Sequence, residues 1–136
     1  MILGIEHLGI AIADSAKAID TFEKILGTRK TKTESVASEK VNTHFFPAGE
    51  SQIELLESTD PEGVISKYIA KRGQGIHHIA LKTDNILAEV ERLLALGFEF
   101  INPVPKEGAD NKPIVFLHPR CTEGVLIELC QDKSDV

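Results

Sequence analysis

Two segments of this 136-residue chain have nearly the same layout, and this internal duplication limits the possible folds more than any other feature. "GIEHLGIAIAD" begins at residue 4 and "GIHHIALKTDN" at residue 75, and each carries a histidine in its fourth position. His7 and His78 are 71 residues apart, and the helix-ending glycines Gly27 and Gly97 are 70 apart. Features that recur once in the same order predict a pseudo-twofold protein, because a solenoid needs more repeats.

Both copies predict the same order of secondary-structure elements. The first reads as a strand "IEHLGIAIA", a helix "AKAIDTFEKILG" capped by Asp14 or Ser15, and the strands "TRKTKTESVA", "KVNTHFFPA" and "SQIELLES". The second reads as "IHHIALKT", a helix "NILAEVERLLALG", a strand "FEFINPV", a loop "PKEGADNKP", and the strands "PIVFLHP" and "GVLIELCQ". The sequence therefore predicts an α+β fold of two tandem βαβββ modules.

The predicted organisation is a single domain over residues 1–136, since a chain of this length builds one hydrophobic core. Module one covers about residues 4–57 and module two about residues 75–131. Between them, residues 58–74 predict a linker helix, with Ser58 to Pro61 as its cap and first turn.

Composition and charge exclude several functional classes. A net charge of −6 argues against nucleic acid or an anionic membrane surface as a partner. No apolar run is long enough for a transmembrane helix, and the N-terminal "MILGIEHLGI" reads as a strand and not as a signal peptide. Cys121 and Cys130 form no CxxC motif, which favours a reducing, cytoplasmic location.

The duplicated strands also indicate a shared metal site. Side chains alternate along a strand, so each repeated histidine shares its face with small residues that leave space in front of the sheet. Those small residues are Gly9, Ala11 and Ala80. Glu54 in "QIELL" and Glu128 in "LIELC" lie between apolar neighbours, where a carboxylate is costly to bury unless its charge is compensated. If the modules close around a common axis, two imidazoles and two carboxylates converge in a way that suits a divalent cation.

Simpler interpretations exist for these and other polar residues. A single strand histidine is usually a hydrogen-bonded core residue, and a single strand glutamate usually faces solvent. His77 is best interpreted as structural, whereas His44 and His118 flank the proposed sheet, with His118-Pro119 suited to the end of a strand. Neither cysteine has a visible base partner that would make it a nucleophile. The segment "KEGADNKP" suits a mobile substrate loop and an ordinary polar turn equally well.

The chain resembles the vicinal oxygen chelate (glyoxalase/bleomycin resistance) superfamily, and within it the methylmalonyl-CoA epimerase family. The likeness runs from "IEHLGIAI" to "GVLIELCQ", and it is most specific in "GQGIHHIALKTDNI" and "FLHPRCTEGVLIEL". The resemblance implies an open barrel-like mixed sheet formed by the two modules around a metal ion. It also implies a homodimer that interconverts the epimers of methylmalonyl-CoA through an enolate.

The resemblance extends to individual residues. The residues that match the family's metal ligands are His7, Glu54, His78 and Glu128. Glu128 also matches one of the family's two acid/base carboxylates. The second falls at Ser38, so the neighbouring Glu39 is the candidate, and a bulge or turn at "ASEKV" would restore its direction. The resemblance favours Co²⁺, while the ligand types also permit Mn²⁺, Ni²⁺, Zn²⁺ or Mg²⁺.

An acyl-CoA substrate needs contacts for its phosphates, and Lys106, Lys112 and Arg120 are the candidates. The main alternative activity is a glyoxalase I-type lyase that isomerises a glutathione hemithioacetal on the same metal. A ring-cleaving dioxygenase would use two histidines, one glutamate and Fe(II), but it needs further acid/base residues that this short chain does not offer. A drug-sequestering protein of this fold is distinguished by the loss of the metal ligands, which are present here.

Overall fold

The computed structural model describes residues 1–133 and has an α+β fold in which the order βαβββ occurs twice, as predicted. The strands are β1 (Ile2–Ile12), β2 (Lys32–Val36), β3 (Val41–Ala48), β4 (Ser51–Ser58), β5 (Gly75–Thr83), β6 (Lys106–Glu107), β7 (Pro113–Phe116) and β8 (Ile127–Cys130). The helices are α1 (Ser15–Leu26), α2 (Val64–Arg72) and α3 (Ile86–Ala95). None of the helices within residues 1–133 is both long and apolar enough to cross a membrane.

The structure divides into two compact units, with boundaries inside β1 and β5. We call residues 7–77 the N-terminal unit, and residues 1–6 together with residues 78–133 the C-terminal unit. The organisation as a single domain of two modules joined by a linker helix stays a prediction.

In the N-terminal unit the strand order is β2-β3-β4-β1, with β1 and β4 parallel and the other neighbours antiparallel. Asp14 caps α1 by accepting a hydrogen bond from the Lys17 amide, and Gly27 ends the helix in the left-handed conformation that a side chain disfavours. Helix α1 packs through Phe22 and its apolar neighbours against buried Phe46 of β3. One sheet face is therefore covered by α1, and His7 lies on the other because it alternates with Ile10 and Ile12.

The C-terminal unit repeats this arrangement with the strand order β5-β8-β7-β6. Strands β5 and β8 are parallel, and β7 is antiparallel to both β8 and β6. Asn85 caps α3 by accepting a hydrogen bond from the Ala88 amide. Val90 and Leu93 of α3 then pack against Val115 and Leu129 of the sheet, which leaves the face bearing His78 and Glu128 to other contacts.

The predicted start of the linker helix is wrong. Helix α2 begins at Val64, and its N-cap residue is Gly63, so no side chain caps the helix. Ser58 instead ends β4, and its hydroxyl donates a 2.7 Å hydrogen bond to the Asp60 carbonyl. The side chains of Ser58 and Asp60 bond to nearby backbone groups, and the segment forms a turn in place of a helix cap.

The predicted strand at residues 98–104 is also wrong. Phe100 makes one isolated bridge with Leu117, and the outer strand of this unit is the two-residue β6, inside the segment predicted as a loop. Pro103 and Pro105 have no amide hydrogen to donate to a ladder, so continuous pairing through residues 102–105 is disfavoured. The β-forming composition of "FEFINPV" predicted a strand at residues 98–104, whereas the strand lies at Lys106–Glu107.

Candidate metal site and acid/base residues

His7 and Glu54 form a buried pair in the N-terminal unit. Strands β1 and β4 are parallel with Gly9 opposite Glu54, so His7 lies diagonally across from the carboxylate. The distance from His7 Nδ1 to Glu54 Oε2 is 3.0 Å, and both side chains are almost fully buried. Because Gly9 has no side chain, the Glu54 carboxylate can lie over the neighbouring strand and approach the imidazole.

His78 and Glu128 form the same arrangement in the C-terminal unit. Strands β5 and β8 are parallel with Ala80 opposite Glu128, and His78 again lies diagonally across from the carboxylate. The distance from His78 Nε2 to Glu128 Oε1 is 3.5 Å, and both side chains are again almost fully buried. The duplication thus reproduces a histidine, a small residue two positions later, and a glutamate opposite that small residue.

Each pair is chemically suited to a cation. A buried carboxylate is stable only where charge and hydrogen bonds compensate its lost hydration, and one neutral imidazole compensates it weakly. Within residues 1–133, every fully buried side-chain nitrogen or oxygen has a hydrogen-bond partner, so the pairs are satisfied as they stand. Each pair offers one imidazole nitrogen and one carboxylate oxygen, which are donor types that suit divalent cations.

Two phenylalanines flank the carboxylates, and the sequence interpretation missed both. Phe45 of β3 lies opposite Glu54, and Phe116 of β7 lies opposite Glu128. The Phe116 ring meets the His78 ring edge to face, with 5.8 Å between centroids. Phe45 and Phe116 are 71 residues apart, the same separation as His7 and His78, so the repeat itself contained the signal. These apolar rings limit access of water to the carboxylates.

Glu39 lies in a 3₁₀ turn over Ala37–Glu39, between β2 and β3. Lys40 follows with φ of 55°, so the strand is interrupted and the alternation expected of an unbroken strand does not apply. The turn at "ASEKV" is therefore present. Burial lowers the pKa of His77, and the nearby negative charge of Glu39 opposes that shift. Assignment of Glu39 as the second acid/base stays a prediction.

The three basic candidates for phosphate contacts differ in their surroundings. Lys106 is exposed on β6, and Arg120 is exposed and donates to the Glu99 carboxylate at 2.6 Å. Lys112 is partly buried and makes ion pairs with Glu6 at 3.5 Å and Asp132 at 2.9 Å. Arg120 and Lys112 already have carboxylate partners, so a substrate phosphate would have to compete with those carboxylates.

Lys112 belongs to a small network of ion pairs within the C-terminal unit. Asp132 also forms an ion pair with Lys82, with 2.6 Å between Nζ and Oδ2. Burial disfavours the charge of Lys112, but the hydrogen bond to Asp132 and the charges of Glu6 and Asp132 outweigh it and raise the pKa of the ammonium. Hydrogen bonds from Lys82 and Lys112 lower the pKa of Asp132.

The remaining histidines and the cysteines have structural surroundings. His44 lies between Thr33 Oγ1 at 2.9 Å and Glu57 Oε1 at 3.4 Å, and the His118 ring accepts a hydrogen bond from the Arg120 amide. His77 packs edge-on against Tyr68. Both cysteines are free thiols, and Cys130 is buried.

Comparison with known proteins extends over nearly the whole chain. Residues 6–116 match the model of the Glyoxalase/Bleomycin resistance protein/Dioxygenase superfamily. The chain is 36% identical over 131 residues to the uncharacterised protein YqjC of Bacillus subtilis, covering 96% of this chain and 94% of YqjC. It is 35% identical over 126 residues to mitochondrial methylmalonyl-CoA epimerase of Dictyostelium discoideum, covering 92% and 76%. A solved structure of a Streptomyces coelicolor methylmalonyl-CoA epimerase variant in complex with 2-nitronate-propionyl-CoA superposes with a TM-score of 0.92 at 28% identity, covering 98% and 97%.

Proposed function

We propose, from the premise that the chain belongs to the glyoxalase/bleomycin resistance protein/dioxygenase superfamily, that it is a metal-dependent methylmalonyl-CoA epimerase. Several relatives that match over most of their length are methylmalonyl-CoA epimerases, and the chain is an enzyme. The observation that carries the proposal is the buried histidine–glutamate pair present in both units. Removing the weakly acidic α-proton of a thioester requires a stabilised oxyanion and a well-placed base. Such pairs supply ligands for a metal ion that stabilises the oxyanion, and a carboxylate that acts as the base.

We infer that both pairs hold one divalent cation, with His7, Glu54, His78 and Glu128 as its ligands. Two ligand atoms about 2.1 Å from one metal ion are roughly 3.0–3.4 Å apart at ordinary bond angles. The separations within the pairs, 3.0 Å and 3.5 Å, are close to that range. Co²⁺ is the favoured metal, and the donor set also suits Mn²⁺, Ni²⁺, Zn²⁺ or Mg²⁺. When bound, the cation supplies Lewis-acid stabilisation of the oxyanion that develops on the thioester oxygen.

The proton transfers are assigned to two carboxylates of this chain. Glu128 removes the α-proton from one face of the substrate, and the Glu39 carboxylic acid returns a proton to the opposite face, which inverts the carbon centre. The substrate loses one proton and gains one, and the turnover leaves Glu128 protonated and Glu39 ionised. That state starts the reverse reaction, and proton exchange with solvent restores the forward one. The low exposure of Glu128 limits competition from bulk water for the proton it holds.

The substrate is an acyl-CoA, whose phosphates are assigned to Lys106, Lys112 and Arg120. Replacing each of these residues with alanine is expected to raise KM for methylmalonyl-CoA and leave kcat nearly unchanged, because the contact is made equally in the ground and transition states. Steady-state kinetics of the three variants measures this. A residue whose alanine variant keeps the wild-type KM is not a substrate contact.

The protein is further proposed to work in the cytoplasm as a homodimer. Leu3 and Ile5, on the part of β1 that belongs to the C-terminal unit, are about half exposed and offer apolar area for a subunit contact. Light scattering after size-exclusion chromatography measures the mass. A mass of about 30 kDa, twice that of the 14.9 kDa chain, supports the dimer, and a mass of one chain at micromolar concentration contradicts it.

The activity is tested by proton NMR of methylmalonyl-CoA in D₂O, with the protein loaded with Co²⁺ and with a chelator-treated control. We expect metal-dependent loss of the α-proton signal, because each deprotonation is followed by return of a deuteron. No exchange from a demonstrably metal-loaded protein contradicts the epimerase proposal. In that event the glutathione hemithioacetal of a 2-oxoaldehyde is the next substrate to test, since a glyoxalase-type lyase would use the same residue types.

A further inference from the structure

A lysine lies in register with the metal-site carboxylate of the N-terminal unit. Lys32 of β2 pairs with Phe45 of β3, Phe45 pairs with Glu54 of β4, and Glu54 pairs with Gly9 of β1. Residues directly opposite one another in neighbouring strands project from the same sheet face. Lys32 is therefore on the face that carries His7 and Glu54, at the outer strand of this unit's sheet.

The Lys32 side chain extends across this face and not away from it. Its ammonium nitrogen is 4.7 Å from the centroid of the Phe45 ring, and Phe45 is buried. Contact with an aromatic face restricts the ammonium group to one region without removing its charge. The side chain remains 44% exposed, so a ligand can reach it. Its ion pair with Glu34 is long, at 3.8 Å, and lies on the same strand.

We propose that Lys32 is a specificity-determining residue that binds an anionic oxygen of the ligand held on this sheet face. The inference rests on the proposed function, in which the ligand is an acyl-CoA with a free carboxylate. A cation restricted by an aromatic ring loses little side-chain freedom when it accepts an anion, so it discriminates well between charged and uncharged ligands.

Both the acyl carboxylate and the phosphates of coenzyme A could supply the anionic oxygen. Adjacent strands are about 4.8 Å apart, so the backbones of Lys32 and Glu54 are separated by about 10 Å, and the lysine side chain extends from β2 toward β4. A carboxylate one carbon away from the reacting thioester stays close to Glu54, whereas the phosphates are at the far end of a long flexible arm. We therefore assign the Lys32 contact to the acyl carboxylate.

The test compares two thioesters that share every phosphate and differ in the carboxylate. Isothermal titration calorimetry measures the Kd of the Co²⁺-loaded protein for methylmalonyl-CoA and for propionyl-CoA. Lys32→Gln is expected to weaken binding of methylmalonyl-CoA about tenfold, as for loss of a charged hydrogen bond at a partly exposed site, and to leave propionyl-CoA binding unchanged. Lys32→Arg is expected to restore most of the methylmalonyl-CoA affinity.

Lys30→Gln is the matched control. It removes the same charge nearby, but Lys30 Nζ donates to Thr33 Oγ1, and Thr33 alternates with Lys32 and lies on the opposite face. This variant is expected to bind both thioesters as the wild type does. Weaker binding of both thioesters by Lys32→Gln, or unchanged binding of both, overturns the carboxylate assignment. If the wild type shows no α-proton exchange, the epimerase proposal fails separately, since the two Kd values do not depend on turnover.

Discussion

At the scale of single residues, the smallest side chains near the candidate site have a defined task. Gly9 and Ala80 lie directly opposite Glu54 and Glu128, and each is two positions after a histidine on the same strand. Ala80 is fully buried against Ile114 and Cys130. A larger side chain at either position would occupy the space through which the carboxylate approaches its imidazole. The sequence showed these residues as small neighbours of histidine, and the strand register shows what their size permits.

Replacing Ala80 with valine is expected to destabilise the protein by roughly 1–3 kcal/mol, because added methyl groups in a packed interior force neighbouring side chains to move. The same change is expected to weaken Co²⁺ binding by moving Glu128 away from His78. Thermal unfolding and metal titration measure the two effects. Ala70→Val, at an exposed position of α2, is the control and is expected to cost less than about 1 kcal/mol and leave metal binding unchanged. Wild-type affinity in Ala80→Val would contradict this role for Ala80.

Replacing Glu39 with glutamine is expected to slow epimerisation at least 100-fold, because an amide cannot return the proton to the second face. Exchange of the α-proton of one epimer is expected to persist, since Glu128 can still remove and return a proton on its own face. Stereochemical inversion, followed by circular dichroism of a single epimer, and proton exchange, followed by NMR, separate the two processes. Glu62→Gln, at an exposed residue before α2, is the control. Normal inversion by Glu39→Gln would exclude Glu39 as the second acid/base.

At the scale of elements, propensity and pattern predicted where strands and helices occur better than where they begin. Helices α1 and α3 match their predicted segments because each has an apolar stripe and a capping side chain. Helix α2 starts later than predicted, since Ser58 and Asp60 bond to local backbone groups. The outer strand of the C-terminal unit is displaced to β6 and has only two residues. Both errors lie where local hydrogen bonding or proline decides the backbone path.

Four strands of the C-terminal unit are connected by ion pairs. Lys82 lies in β5 and Glu6 in β1, while Lys112 directly precedes β7 and Asp132 follows β8. The alternating ion pairs among them link strands that are distant in sequence. The sequence predicts Lys112 as a phosphate contact. Its ion pairs in this network also connect strands within the unit.

Asp132 is expected to make the free energy of unfolding decrease as the pH falls into the acid range. Its pKa is lower in the folded protein than in the unfolded chain, so its contribution is present above about pH 4 and is lost as pH falls through the folded-state pKa. Asp132→Asn is expected to cost about 1 kcal/mol at pH 7, a value limited by solvent screening, and to lose less stability than the wild type between pH 5 and pH 2. Urea denaturation across this range measures both. Asp20→Asn, which removes an exposed helical ion pair with Lys24, is the control and is expected to have the smaller effect. Parallel pH profiles for Asp132→Asn and the wild type would contradict the prediction.

At the scale of the whole molecule, the central proposal is that each unit contributes half of one metal centre. Each unit holds one histidine–glutamate pair of similar geometry. A single pair leaves most coordination positions of a divalent cation to water, so it is expected to bind weakly, whereas four protein ligands bind tightly. Metal stoichiometry therefore distinguishes one shared centre from two separate ones.

The shared centre predicts one tightly bound Co²⁺ per chain, with either His7→Ala or His78→Ala abolishing it. Equilibrium dialysis followed by elemental analysis measures the stoichiometry. His118→Ala, which removes a histidine that accepts a hydrogen bond from the Arg120 amide, is the control and is expected to keep one equivalent. Two equivalents in the wild type, with one retained in each of the two ligand variants, would show that the pairs act separately.

The sequence by itself determined the duplicated α+β pattern, the faces of the strands and the residue types of the candidate site. Those features follow from local periodicity, since alternation along a strand and the three-to-four spacing of a helix are properties of short segments. Only the tertiary structure decided the parallel registers of β1 with β4 and of β5 with β8. These registers bring His7 next to Glu54 and His78 next to Glu128 across about 50 residues of intervening chain. Such pairings depend on how helices and loops close between strands, which no local pattern in the sequence specifies.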